Sequence, residues 1–435
     1  MKLLLILALC ITGLLAGNVK QRRSTTTDHI SSGLNAAKDI ASVISNSTAF
    51  ATGLVKIADK VAPFLGAVAP FLSFVFSFIP KGPSAELLAI RKLHKDVDTR
   101  FDQLDRKFSD VKQLIQWSSV KVQFSGIEQK INAVYRKYTE MYQAPTNALD
   151  GEKKLFISNY DSDFQNSGIK LYDGVMNVGH VFGDGLLVPC MTYTHYDRQK
   201  CSEFSSGILN LLLKSAELEL AYLQLKGLST NVDYHAKQWK TRIDQVRSAM
   251  SHADRTIASK YHDQSNAEID RYALDHPGDK MNNHDWANNM YISLSKKYYW
   301  RDWLVIAYKD VFGDDKHWNK VCSGYGKFRN HGRNILIASV DKSRHHLDNT
   351  KAHSVVNAVH DHTSSKGHCR PHCGTVYHRI DTHTAYDTFP VEVKDHCYPY
   401  VASGVIWNDA QPTYKAAANR LVLRNDKFNH IHVFG

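Results

Sequence analysis

The residues best able to do chemistry crowd the C-terminal third of this chain. Of 23 histidines, 14 follow residue 315. They include His345-His346, His360-Asp361-His362 and the run His368-Cys369-Arg370-Pro371-His372-Cys373. Mixed imidazole and thiolate donors are the chemistry of a zinc site. An exported chain oxidises its thiols, however, and Cys369 and Cys373 then read as oxidised cysteines, so no metal and no other cofactor is implied. The same histidines make this region gain positive charge below about pH 6.5, and two readings stay open: surface histidines without a task, and a pH-sensitive response.

Catalytic signatures do not accompany these residues. The chain has no HExxH, no GxSxG and no phosphate-loop lysine followed by Ser or Thr. Gly324-Tyr325-Gly326-Lys327 is a glycine turn, and Asp161-Ser162-Asp163 with Asp184 lacks the remaining spacing of a calcium loop. The expectation is a protein that is not an enzyme, with no catalytic residue to name.

Export is read from the N-terminus. Lys2 precedes an uncharged segment, Leu3 to Leu15, and Ala16-Gly17 offers small residues for cleavage, so residues 1–17 read as a secretory signal. Residues 18–23 read as a basic propeptide, with Arg22-Arg23 as the processing site. Cys10 leaves with the signal. Cys190, Cys201, Cys322, Cys369, Cys373 and Cys397 remain, an even set with 15 possible pairings. Proximity favours Cys190 with Cys201 and leaves the other four to brace the C-terminal region. Asn46-Ser47-Thr48 is an N-glycosylation acceptor at Asn46.

The 435 residues are ordinary globular material, 43% apolar and 22% charged, enough for two or three domains. The net charge is +11, but four of those charges precede residue 24, and the remainder is too diffuse to predict a nucleic-acid partner. Between Lys60 and Lys81 lie 20 uncharged residues, VAPFLGAVAPFLSFVFSFIP. As a helix they would reach about 30 Å, the thickness of a hydrocarbon core. Ala69, Ser73 and Ser77 recur at four-residue spacing, a small-residue face suited to close helix packing. The apolar side chains of the run are Val61, Phe64, Leu65, Val68, Phe71, Leu72, Phe74, Val75, Phe76, Phe78 and Ile79. Two readings remain open: a hairpin buried in a soluble bundle, and a membrane-inserting segment.

Residues 84–117 carry heptads. Leu87, His94, Phe101, Phe108 and Ile115 form one series; Ile90, Val97, Leu104 and Val111 form the other, with charges between. That pattern predicts a long amphipathic helix whose seam packs within a bundle or drives self-association. Ile127, Ile131, Val134 and Tyr138 continue in helical phase. Further helices are expected over 203–226, 234–260 and 284–312. After Cys322 short β-type runs take over: Ile335–Val340, Thr375–Ile380, Val401–Trp407, Leu421–Leu423 and His430–Phe434. The expected class is α+β. A helical domain spans 24–315, and a disulfide-braced, β-rich domain with its His and Cys residues spans 316–435.

The order of these parts resembles the jellyfish (cnidarian) family of pore-forming toxins. The resemblance lies in the signal, the short basic propeptide, the stretch KIADKVAPFLGAVAPFLSFVFSFIP (Lys56 to Pro80), the charged heptad helix, and Tyr299-Trp300-Arg301-Asp302-Trp303-Leu304-Val305-Ile306. It implies a secreted haemolytic and cytolytic protein, delivered from nematocysts, that forms pores in the target-cell membrane. It also implies an N-terminal region like the helical pore-forming domain of insecticidal crystal toxins. The partners implied are membrane lipid, further copies of the chain, and a cell-surface glycan or protein receptor. A secreted structural or adhesive coiled-coil protein, or an unrecognised secreted hydrolase, is the alternative reading.

Overall fold

The computed structural model describes residues 120–435 except 146, 180–181, 323, 345 and 367–373. Arg22, Arg23, Asn46, the uncharged run Val61 to Ile79, the heptad helix 84–117, Cys369 and Cys373 therefore lie outside the described residues. The chain divides into two compact units, one ending at Ala258 and one beginning at Ser259.

The first unit is helical: α1 (Val120–Gln143), α2 (Leu149–Asn159), a π-helical turn (Tyr160–Phe164), α3 (Ser167–Met176), α4 (Leu187–Tyr193), α5 (Arg198–Leu225) and α6 (Ser229–Ser259). In α1 the buried residues Phe124, Ile127, Ile131, Val134, Tyr138 and Met141 alternate three and four apart, giving one continuous apolar stripe. In α6, Trp239, Ile243, Val246, Met250 and Ile257 do the same. Between them, α5 is buried around most of its circumference, Leu211, Leu212 and Leu213 being successive core residues. A helix apolar all round belongs at the centre of a bundle. Accordingly α1, α2, α3 and α4 all pack on α5. The close approach of α3 to α5 depends on Gly168, where a Cβ would stand 2.4 Å from Ser215 Cβ.

The second unit is a four-layer sandwich. Helices α7 (Tyr261–Asp275) and α8 (Asn283–Lys297) cover the outer face of an antiparallel sheet of order β3-β4-β1-β8. These strands are β1 (Arg301–Lys309), β3 (Gly324–Lys327), β4 (Arg333–Asp341) and β8 (Thr413–Ala416). The facing sheet, β2-β7-β10-β9, is built from β2 (His317–Val321), β7 (Ala402–Trp407), β9 (Leu421–Asn425) and β10 (Asn429–Phe434). Its outer face is covered by α9 (Asn349–Asn357), α10 (Thr382–Asp387) and α11 (Val391–Lys394). Strands β5 (His362–Lys366) and β6 (Thr375–Arg379) form a separate hairpin. Leu304, Ile306, Leu336 and Ala338 meet Val401, Ile406 and Phe434 between the two sheets.

Local chemistry explains where these helices start. Asn282, Asp348 and Asp381 accept hydrogen bonds from the main-chain N–H groups of Asp285, Lys351 and Thr384, capping α8, α9 and α10. Lys320 of β2 donates to the carbonyls of Val393, Lys394 and His396 and so closes the C-terminus of α11.

One expectation is overturned. Residues 284–312 do not form a single helix: α8 ends at Lys297 and β1 runs from Arg301 to Lys309. Trp303, Val305 and Ala307 face the α7–α8 layer, whereas Leu304, Ile306 and Tyr308 face the second sheet. A strand buried on both faces loses the polar alternation that marks strands in sequence. With the unit boundary at Ala258, α7 and α8 form one layer of the sandwich.

Candidate functional site

In the helical unit, polar side chains are tied off in pairs around α5. Glu219 accepts from Trp239 Nε1 at 3.1 Å and meets His235 Nδ1. Lys214 donates to Asn132 of α1 at 3.0 Å. Arg198, at the start of α5, makes a two-point ion pair with Asp254 near the end of α6, at 2.6 and 2.7 Å, which fixes these helices antiparallel. Asp161 of the π-helical turn receives the Tyr222 hydroxyl and the Lys226 ammonium, and both hold its carboxyl below the usual range.

Beside the Arg198–Asp254 pair opens a cavity of about 220 Å³, lined in part by Met191, Ser202, Ser205 and Met250. Cys190 and Cys201 line it too. Their sulfurs lie 3.0 Å apart, and both are buried free thiols. The expected pair is thus brought together without a bond between the sulfurs. Burial and the neighbouring Cys201 push the Cys190 thiol up, so it stays protonated and poorly nucleophilic. A bond does join Cys322, at the end of β2, to Cys397, across 75 residues of sequence.

The densest chemistry of the second unit lies between its sheets. Strand alternation turns His317 and Asn319 of β2, Gly404 of β7, and His430 and His432 of β10 toward the first sheet. Register then aligns them: Asn319 pairs with Gly404, and Gly404 with His432; His317 pairs with Ile406, and Ile406 with His430. From the other sheet Tyr308 meets His317 Nδ1 at 2.5 Å, and Tyr414 meets His432 Nδ1 at 3.4 Å. Gly404 makes room for the group, since a Cβ there would lie 2.0 Å from Asn319 Oδ1 and 2.7 Å from His432 Cε1.

This cluster is uncharged. Burial lowers the imidazoles of His317 and His430, and with His430 alongside it pushes His432 down to about 3. Burial raises the phenols of Tyr308 and Tyr414. Neutral phenol donors and neutral imidazole acceptors make a buried polar seam between the layers, and acid is the perturbation that would break it. The histidine-rich sequence pointed to this unit; it gave no sign that these particular residues converge, because β2 and β10, which carry the three histidines, lie about 100 residues apart in sequence and meet only across β7.

Among the described residues no helix is long and apolar enough to cross a membrane. Residues 80–278 match the family model described as the cephalotoxin-like middle helical domain. That family is toxin-related, which supports a toxin-like protein and a helical middle domain. A curated relative, protein rapunzel of Danio rerio, is 21% identical over 210 residues, covering 46% of this chain and 90% of that protein. No solved structure matches.

Proposed function

We propose that this chain is a secreted cytolytic toxin that enters target-cell membranes and forms pores. The observation that carries the reading is the match to a toxin-related helical domain beginning at Pro80, the residue that closes the uncharged run. In this reading the run from Val61 to Ile79 is held among amphipathic helices until the protein docks. The C-terminal sandwich meets lipid or a surface receptor, the helical unit opens, and the run transfers its phenylalanines into acyl chains. Transfer between two apolar environments changes little hydrophobic free energy, so the cost lies in parting helix contacts, and membrane binding offsets it. The heptads at Leu87, Ile90, Val97, Phe101, Leu104, Phe108, Val111 and Ile115 supply a seam for assembling several copies.

The test is dye release from lipid vesicles, with red-cell lysis alongside, by disulfide-intact residues 24–435. An aspartate at the centre of a membrane helix costs about 3 kcal/mol, or roughly two orders of magnitude in an equilibrium. Phe74→Asp and Phe76→Asp should therefore reduce release by about 100-fold at equal bound protein. Full lytic activity from a correctly folded Phe74→Asp protein refutes insertion by this run. Lysis of cells without vesicle release points to a required receptor.

A further inference from the structure

Where α9 ends, three groups from distant parts of the chain meet. Asp361 immediately precedes β5, His362 opens it, and Asp426 begins the turn between β9 and β10. One ligand atom from each lies within 4.8 Å of the other two. His362 Nδ1 and Asp361 Oδ1 are 3.0 Å apart. Two donors each about 2.1 Å from a shared ion stand roughly 3.0–3.4 Å from one another, so this spacing suits joint ligation.

The charges around the group are arranged to leave part of it free. Arg424 Nε stands 3.8 Å from Asp426 Oδ2 as a longer ion pair, while its Nη1 and Nη2 donate to the carbonyls of Val356, Asn357 and Val359 and to Asp361 Oδ1 at 2.9–3.2 Å. The other oxygen of that carboxylate, Asp361 Oδ2, is buried without a hydrogen-bond partner, in a residue only 2% exposed. A buried carboxylate oxygen left so is costly and calls for a cation or a proton. Asp426 is fixed by the main-chain N–H of Lys427, which donates to its Oδ1 at 2.7 Å. His362 and Asp426 each keep about a third of their side chain exposed, which provides an entry path.

We propose that Asp361, His362 and Asp426 bind a divalent transition-metal ion. Two carboxylates and one imidazole are the donor set of zinc or manganese, whereas calcium sites are built from oxygen alone. Two carboxylates against one guanidinium leave a net negative site for the ion. Once bound it joins the start of β5 to the β9–β10 turn, with its remaining positions open to water. This inference does not depend on pore formation.

The test uses the full disulfide-intact chain, stripped of metal with a chelator and titrated with ZnCl2 at pH 7, with calorimetry and the thermal unfolding midpoint as readouts. His362→Gln and Asp426→Asn, both partly exposed, keep the fold, whereas Asp361 also anchors Arg424 and is a poorer probe. One saturable site is expected, weakened 10- to 100-fold in both variants, with the zinc-induced rise in midpoint lost. His378→Gln, on the exposed face of the β5–β6 hairpin, should leave that site unchanged. The proposal is overturned by the absence of a saturable site, by binding in His362→Gln and Asp426→Asn as tight as in the unsubstituted protein, or by a loss as large in His378→Gln.

Discussion

Acid should weaken the sandwich unit well before its carboxylates titrate. His432 is fully buried and neutral, with its pKa lowered from 6.5 to about 3, Tyr414 at its Nδ1 and His430 beside it. The unfolded chain binds a proton at this imidazole below pH 6.5 and the folded chain does not. Stability therefore falls as pH drops from about 6.5 toward 3, by about 1.4 kcal/mol per pH unit. At pH 5 the loss from His432 alone is about 2 kcal/mol, a large share of a normal domain's stability. His317 and His430, also lowered by burial, act in the same direction. Asp270, Asp341 and Asp381 are held below their usual range, and their stabilisation is lost only at lower pH, as protons reach carboxylates near and below 3.8. The interval from pH 6.5 to 5 thus isolates the imidazoles. Urea unfolding followed by tryptophan fluorescence suits it, because five of the seven tryptophans (Trp286, Trp300, Trp303, Trp318 and Trp407) belong to this unit. His432→Leu should remove about 2 kcal/mol of the difference between pH 6.5 and 5. It also strips Tyr414 of a partner, but that penalty is the same at every pH and does not enter the slope. An unfolding midpoint that does not move between pH 7.5 and 5, or a His432→Leu slope equal to the parent's, refutes the reasoning.

Three further outcomes follow from the same interior. Arg420 is fully buried and pairs with Asp302 at 2.9 Å, so Asp302→Ala, which leaves the guanidinium in the core without its carboxylate, should cost about 3–5 kcal/mol in urea unfolding. Gly404→Ala pushes a methyl group against Asn319 and His432, and should lower the unfolding midpoint by the equivalent of about 1–3 kcal/mol while leaving the helical unit's circular dichroism unchanged. Reduction of Cys322–Cys397 frees a 75-residue loop and should cost about 4 kcal/mol, seen as a lower tryptophan-monitored midpoint in reducing buffer.

The helices that could be read in sequence are those whose apolar residues keep one face. Ile127, Ile131, Val134 and Tyr138 sit on the buried stripe of α1, and Trp239, Ile243, Val246, Met250 and Ile257 on that of α6. The region from α2 to α4 was silent for the opposite reason: α2 reaches the core mainly through Phe156, and the turn after it through Phe164, too few anchors to set a period. Five strands were legible because β-branched residues cluster in β4, β7 and β10 and mark β6 and β9. The short strands β2, β3, β5 and β8 carry Lys, Asn, Ser or Gly at positions where hydropathy expects an apolar residue, and pairing alone makes them strands.

What the sequence withheld about the site follows from how a sandwich is assembled. Reading His360-Asp361-His362 as a motif finds one true contact, since Asp361 Oδ1 and His362 Nδ1 do meet at 3.0 Å, but not the groups that complete the cluster. Those are Arg424 and Asp426, about 60 residues on, and they arrive through the pairing of β9 with β10. The buried seam follows from strand alternation. His430 and His432, two apart on one strand, share a face, while Ile431 between them packs under α9 and its neighbours. Composition could show that this unit is rich in imidazole. Only register could show that His317, His430 and His432 are the ones held neutral, and so the ones through which acid can act on the fold.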